Sequence, residues 1–422
     1  MKTSKHMKPK EKKKEKVSAN HFEEPLAVFE YEDTPKNRTS PEEIKKVPKA
    51  VYRAGAILIL VIIALALWLN RESLKPANIK TWFTLQLKGD EVAEGFPVGV
   101  KGNQVDVGGF QKAAGSAAVL SDTALTVLQN NGTETAYIRH SFANPALKTA
   151  GGYSLIYDVG MEGYLLASGQ DELLNQKADS KLYFADVAAN GNFVLGTQGG
   201  EYASELAAYK KDGTPLYRYS FAFGYGVAAA LNPSGTGGAV CTLNSSGGEL
   251  TSTITILDFS RADPVLEYSL SGNMVIDLFW TDAGKIMAVG DSGVSVLSAT
   301  ESSQTDYSYS GRKITAYCAD GEKLFTALSD YEYGGNGSIV IFDTRQKETT
   351  VIETDKRVLS LSASGNSLAA LTVGGAVRFY DSTSGQAVQT ADAGADARAV
   401  ALANETSAYV LGASEIRKVT AQ

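Results

Sequence analysis

The sequence predicts an all-β protein, an eight-bladed β-propeller preceded by a disordered basic tail and one transmembrane helix. Three observations predict the propeller. Turn residues recur at an interval of about 43 residues, which is within the range of propeller blades. Each interval contains short stretches of alternating apolar and polar residues, as half-buried strands do. The composition, with 41 Gly, 20 Tyr, 15 Phe and only 11 Pro, is typical of a turn-rich β protein.

The first predicted element is a cytoplasmic, disordered tail over residues 1–50. Residues 1–53 hold 14 basic and 9 acidic residues, whereas the rest of the chain has a net charge of −12. The basic run KPKEKKKEK begins at Lys8, but Glu11 and Glu15 dilute its charge and no aromatic residue interrupts it. We therefore expect no nucleic-acid partner, and the remaining functional interpretation is a weak contact with anionic lipids of the inner leaflet.

The second predicted element is a transmembrane signal anchor over residues 51–69. It contains the apolar run AGAILILVIIALALWL, which begins at Ala54, and 19 helical residues span roughly 28 Å. A buried core helix would carry a polar stripe, and a cleaved signal peptide would not follow 53 residues of chain. Basic residues crowd the N-terminal flank. We therefore expect a single-pass protein of the cell membrane with its N-terminus in the cytoplasm and its large domain outside.

Residues 70–94 are predicted to form a stalk with a short helix, and residues 95–422 the extracytoplasmic propeller. Turn residues mark the repeat at Asn190, Asn232, Asp282, Asp320, Ser364 and Asn404. The predicted blades cover 105–143, 144–179, 180–223, 224–272, 273–311, 312–356, 357–394 and 395–422. The last blade has only three strands, and the segment 95–100, GFPVGV, can supply the fourth and close the ring. Seven blades remain the alternative, because the second unit is short.

Several segments together resemble a known family. The chain resembles a domain-of-unknown-function family of Gram-positive bacteria. The resemblance rests on a single anchor followed by PANIKTWF, GFPVGVKGN, SFANPALKTAGGYSLIYD, EYASELAAYKKDG and SSGGELTSTITILDFS. The resemblance covers residues 70–422 and implies single-pass, membrane-anchored β-propellers that face the cell envelope, with no known activity. The likeness to WD-repeat and quinoprotein propellers is looser, because the Gly-His and Trp-Asp dipeptides and the repeated Trp do not occur.

The rare residues exclude several kinds of chemistry. The chain has three His and two Cys, Cys241 and Cys318, and these are too few and too scattered for a structural zinc site. No phosphate-binding loop, HExxH or CxxC motif occurs. We therefore predict no metal, no cofactor and no catalytic residues, and we expect that the protein is not an enzyme.

The favoured function is a binding or scaffold module for an envelope protein or glycan. The turns after the second strands of blades 3, 4 and 6 are the longest, and the link after blade 3 is aromatic. Aromatic and carboxylate side chains on long loops suit a sugar, peptide or protein ligand. The candidate ligand-binding residues are Glu201, Tyr202, Phe221, Phe223, Tyr225, Glu249, Tyr331 and Tyr333, with Glu332 on the same loop. The other interpretation is that these rings pack under their own loops.

The alternative function is a propeller hydrolase or lyase that acts on an envelope glycan or peptide. Asp186, Asp277 and Asp320 fall in or just after first strands, which line the channel of a propeller. Two carboxylates within catalytic reach in one pocket would favour this alternative. His140 is predicted to lie in an outer strand, away from them.

Overall fold

The propeller predicted from the sequence is confirmed. The computed structural model describes residues 95–421, except 114, 247, 332–334 and 347. These residues form eight antiparallel sheets of four strands each. The predicted tail, signal anchor and stalk, residues 1–94, lie outside the described residues. A search of the described residues finds no helix that could span a bilayer.

Each sheet is one blade, and in blades 1 to 7 the four strands follow one another along the chain. The first, innermost strands of blades 1 to 8 are β2 (Val105–Ala113), β6 (Pro145–Ala150), β10 (Leu182–Val187), β14 (Tyr225–Leu231), β18 (Val275–Trp280), β22 (Lys313–Asp320), β26 (Val358–Ser364) and β30 (Ala399–Asn404). The second strands are β3 (Ser116–Ser121), β7 (Tyr153–Asp158), β11 (Phe193–Gln198), β15 (Gly237–Ser246), β19 (Lys285–Gly290), β23 (Lys323–Ser329), β27 (Ser367–Thr372) and β31 (Ser407–Leu411).

The outer half of each blade contains the third and fourth strands. The third strands are β4 (Ala124–Leu128), β8 (Gly163–Ser168), β12 (Ser204–Tyr209), β16 (Glu249–Asp258), β20 (Gly293–Ser298), β24 (Gly337–Asp343), β28 (Ala376–Asp381) and β32 (Glu415–Thr420). The fourth strands are β5 (Glu134–Arg139), β9 (Asp171–Lys177), β13 (Pro215–Phe221), β17 (Leu266–Ser271), β21 (Gln304–Ser308), β25 (Thr350–Thr354), β29 (Ala387–Asp392) and β1 (Val98–Gly99).

Blade 8 combines both ends of the propeller sequence. β1 pairs antiparallel with β32, with Val98 opposite Ile416 and Gly99 opposite Glu415. Phe96, Val98 and Val100 pack on the core between blades 8 and 1, where the ring of Phe96 lies 5.7 Å from that of the fully buried Tyr409. Such closure leaves no unpaired sheet edge between the first and last blades.

The core is divided among the eight seams between blades. Each seam has its own cluster of buried apolar side chains, to which the alternating faces of adjacent blades contribute. Neighbouring first strands contact each other around most of the ring, and β2 contacts β30. Because one blade cannot bury both of its faces alone, the ring is the unit that buries apolar surface.

The repeating turn residues stabilise local turns. The predicted marks lie at the turns between first and second strands, where Asn232 Oδ1 accepts a hydrogen bond from the Thr236 N–H at 3.0 Å. Asp258, Asp343 and Asp381 end third strands, and Asp381 Oδ1 accepts the Ser384 N–H at 2.7 Å. Short polar side chains favour turns because they bond to their own backbone in this way.

The alternation of strand direction gives the ring two different faces. The loop face carries the turns between second and third strands and the links between blades. The hairpin face carries the other two sets of turns. Gly95 lies at the hairpin face, where a Cβ on Gly132 in the β4–β5 turn would come within 2.7 Å of its carbonyl carbon. The described chain therefore enters the propeller from the hairpin face.

Candidate functional site

Two segments of blade 3 are held together at the loop face. The Ala203 N–H, before β12, donates to the carbonyl oxygen of Phe221 at 3.0 Å. Ser204 Oγ donates to the Gly224 carbonyl and accepts the Gly226 N–H, both at 3.1 Å. One buried hydroxyl therefore fixes the β11–β12 turn against the link from blade 3 to blade 4.

Large apolar side chains project into solvent from these segments. Phe223 is 81% exposed, Tyr225 72% and Tyr202 51%. Leu250 is also exposed, near the tip of the long β15–β16 hairpin of blade 4. We call Tyr202, Phe223, Tyr225 and Leu250 the aromatic loop cluster. Scattered exposed apolar residues are ordinary, but several on adjoining loops of a rigid scaffold are typical of a binding surface.

The structure corrects one predicted ligand-binding residue. Phe221 is only 7% exposed, because it is the last residue of β13 and still pairs with Ser204. Its ring packs edge-on against Tyr219 at 5.0 Å, within the core between blades 3 and 4. For Phe221, the interpretation that a loop aromatic covers its own core is therefore correct.

The other predicted ligand-binding residues fall into three groups. Glu201 and Glu249 are exposed at the loop face, beside the aromatic loop cluster in the sequence. Tyr331 is exposed on the β23–β24 loop of blade 6, which blade 5 separates from blade 4. Tyr333 and the neighbouring Glu332 lie outside the described residues. The structure therefore places the blade 3 and blade 4 residues on loops of neighbouring blades and Tyr331 elsewhere on the same face.

The central channel contains a cavity of about 990 Å³. First strands of all eight blades contribute to its wall, and it reaches the β6–β7 and β22–β23 turns on the hairpin face. Val107 belongs to an irregular part of β2, where Val105 pairs with Ser121 but Phe110 already pairs with Val119. The extra residues form a bulge whose exposed Val107 lines the cavity.

A cluster of charged groups lies in this cavity. Lys148 Nζ of blade 2 donates to Asp277 Oδ1 of blade 5 at 3.3 Å, so the ion pair links blades that are not neighbours. The hydroxyl of Tyr317, from blade 6, makes a long hydrogen bond of 3.5 Å to Asp277 Oδ2. Asp186 Oδ2 accepts the Leu231 N–H at 2.8 Å and thereby joins blades 3 and 4. We call Lys148, Asp186, Asp277 and Tyr317 the channel cluster.

The surroundings change the acidity of these groups. Burial raises the pKa of Asp186 to about 6, although Lys148 and two backbone N–H groups oppose the change. The Asp277 carboxylate raises the pKa of Lys148, so this side chain keeps its positive charge. Burial raises the pKa of Tyr317 to about 12, so its hydroxyl stays protonated and can donate. The cluster therefore carries one positive charge and, at neutral pH, two negative charges.

Sequence reasoning found part of this cluster. Asp186, Asp277 and Asp320 all line the cavity, as channel carboxylates would, and Asp320, at a turn, also accepts the Gly365 N–H at 2.7 Å. Lys148 and Tyr317 were missed, although each lies in a first strand, as Asp186 and Asp277 do. His140 directly follows the outer strand β5, and its Nε2 lies 3.1 Å from the Ser121 carbonyl oxygen.

Comparison with solved structures shows the same fold at low sequence identity. The computationally designed Ika8 protein superposes with a TM-score of 0.53 at 12% identity, over 76% of this chain and 98% of that one. BamB from Moraxella catarrhalis superposes with a TM-score of 0.51 at 13% identity, over 77% of this chain and 96% of that one. At this identity the likeness shows the fold alone.

Sequence comparison adds the family. No curated protein matches the sequence. A family model described as a family of unknown function, DUF5711, matches residues 100–419, which covers nearly the whole propeller. The chain therefore belongs to the DUF5711 family.

Proposed function

We propose that this protein is a membrane-anchored, extracytoplasmic binding module that docks a protein partner through the aromatic loop cluster. The observation that carries the proposal is the exposure of Phe223, Tyr225 and Tyr202 on segments that the Ser204 hydroxyl fixes in place. Large aromatic side chains on rigid supports lose little conformational entropy on binding and frequently anchor protein interfaces.

Charge indicates the kind of partner. The exposed carboxylates Glu201 and Glu249 flank the apolar side chains, and residues 95–422 hold 34 acidic but only 22 basic residues. A negative field attracts a positively charged surface and speeds association with it. The partner that fits is a protein with an apolar centre and a basic rim, which we prefer to a glycan.

The location is part of the proposal. The apolar run at 54–69 and the basic residues before it support an anchor with the propeller outside the membrane. The described chain enters the propeller at the hairpin face, where Gly95 lies, and the aromatic loop cluster is on the opposite face. A partner in the envelope could then reach the aromatic loop cluster.

A cysteine at position 223 tests location and docking together. The native thiols give little background, because Cys241 is fully buried and its pKa is raised by burial to about 12, and Cys318 is half-buried with its pKa raised by the same cause. A membrane-impermeant thiol reagent that carries a photocrosslinker is attached to Phe223→Cys on intact cells. We expect attachment, and crosslinking to one protein through a segment rich in Lys or Arg.

The matched control is Val388→Cys, an exposed apolar position on the outer strand β29 of blade 7. It should accept the reagent without crosslinking to that protein. Attachment at position 223 only after the cells are broken would overturn the location. If both positions crosslink to the same set of proteins, or if position 223 crosslinks only to a glycan, docking of a protein through this cluster is overturned.

A further inference from the structure

We propose that the channel cavity is a binding site for a small organic amine, whose protonated nitrogen lies beside the carboxyl groups of Asp186 and Asp277. The site is independent of the aromatic loop cluster. It lies inside the ring and reaches the hairpin face, whereas the aromatic loop cluster lies on the other face. Its volume of about 990 Å³ leaves room for an apolar body attached to the amine.

The charge balance of the cavity favours a cation. Lys148 neutralises one carboxylate by its contact with Asp277, and Asp186 is bonded to the uncharged Leu231 N–H. Lys112 and Asp320 also line the cavity and balance each other in charge, so one negative charge is left. A ligand with one protonated amine would balance it, whereas an anion would add to the excess.

The charged groups are accessible to a ligand. The side chains of Lys148 and Asp277 are 29% and 17% exposed, and both line the cavity. An ammonium group has three N–H donors, and Lys148 makes one hydrogen bond to Asp277. A ligand can therefore meet the ion pair from the cavity side without separating the blades.

Joining the blades does not require charge at this depth. Ser360 Oγ of blade 7 accepts the Val400 N–H of blade 8 at 3.1 Å, and Ser362 Oγ accepts the Leu402 N–H at 2.9 Å. These neutral contacts tie neighbouring first strands together. Lys148 and Asp277 are partly removed from water, and removing charged groups from water costs free energy that a purely structural link would avoid. The channel cluster is therefore better explained by a ligand.

The remaining wall suits the organic part of an amine. Ile276, Leu359, Phe279 and Trp280 line the same cavity as the channel cluster. Apolar and aromatic walls with a few charged groups are typical of sites that bind small organic molecules, and aromatic faces attract cations.

The test compares amines with uncharged molecules of the same shape. Benzylamine and hexylamine are titrated into the purified full-length chain at pH 7.5 beside benzyl alcohol and hexanol, and the dissociation constants are measured by ligand-observed NMR. We expect at least one amine to bind at least about tenfold more tightly than its alcohol. Asp186→Asn should remove about tenfold of that affinity, since it keeps the shape of the side chain but not its charge.

Two further variants define the outcomes. Asp277→Asn should also weaken amine binding, because it removes the charge of the second carboxyl group in the same cavity. Asp171→Asn, at an exposed position on the outer strand β9, should bind like the wild type. The proposal is overturned if amines and alcohols bind equally, if the channel variants bind amines as the wild type does, or if neither amine binds at about 10 mM.

Discussion

The aromatic loop cluster and the channel cluster depart from ordinary burial in opposite directions. The first leaves Phe223 and Tyr225 in water, and the second places Lys148, Asp186 and Asp277 inside the ring. Elsewhere the seams follow the usual rule, with apolar side chains buried between blades. Departures of this kind concentrate where a protein binds something, because stability alone does not select them.

The two clusters differ in how strongly the fold depends on them. Exposed rings contribute little to folding, so evolution can change them with little loss of stability. Buried charges are interdependent, since removing one leaves another without compensation. Changes in the channel cluster should therefore alter stability much more than changes in the aromatic loop cluster, and three predictions test this difference.

Loss of the channel lysine should have the largest effect. Lys148→Met removes the positive charge beside Asp277 and near Asp186, and leaves both carboxylates without it. We expect the free energy of unfolding at pH 7.5, measured by urea denaturation, to fall by about 2–4 kcal/mol. Lys177→Met, on the exposed outer strand β9, is the control and should change it by less than about 0.5 kcal/mol. Equal stability of the two variants would contradict the prediction.

Removal of the Asp186 charge should have an intermediate and pH-dependent effect. Because burial raises the pKa of Asp186 to about 6, the folded protein binds more protons than the unfolded chain between about pH 4 and pH 6. The contribution of Asp186 to stability therefore becomes less favourable as pH rises through this window. The charged groups that face Asp186 are Lys148 and Asp277.

Asp186→Asn lacks this titration. Its stability relative to the wild type should increase from pH 4.5 to pH 6.5 and then level off, at an advantage of about 1–2 kcal/mol. Urea denaturation over a range of pH measures the difference, and Asp171→Asn should give a flat profile. A difference between Asp186→Asn and the wild type that does not vary with pH would show that the charge at position 186 carries no cost.

The sequence could predict features that depend on residues close together in the chain, but not contacts between residues far apart in it. Blade boundaries depend on local turns such as those at Asn232 and Asp381, where a side chain bonds to its own backbone a few residues on. Lys148 and Asp277 are 129 residues apart, and only the closed ring brings them together. Their contact crosses the channel between non-adjacent blades, so the spacing of repeats gave no signal for it.

Truncation of the aromatic loop cluster should have the smallest effect on stability. The double variant Phe223→Ala, Tyr225→Ala removes rings that are mostly in water, so its free energy of unfolding should stay within about 0.5 kcal/mol of the wild type. Phe221→Ala, only two residues away, opens a cavity in the seam between blades 3 and 4 and should cost about 3 kcal/mol. Urea denaturation of the three proteins measures both effects. A large loss in the double variant would mean that Phe223 and Tyr225 cover their own core, as Phe221 does, and do not form a binding surface.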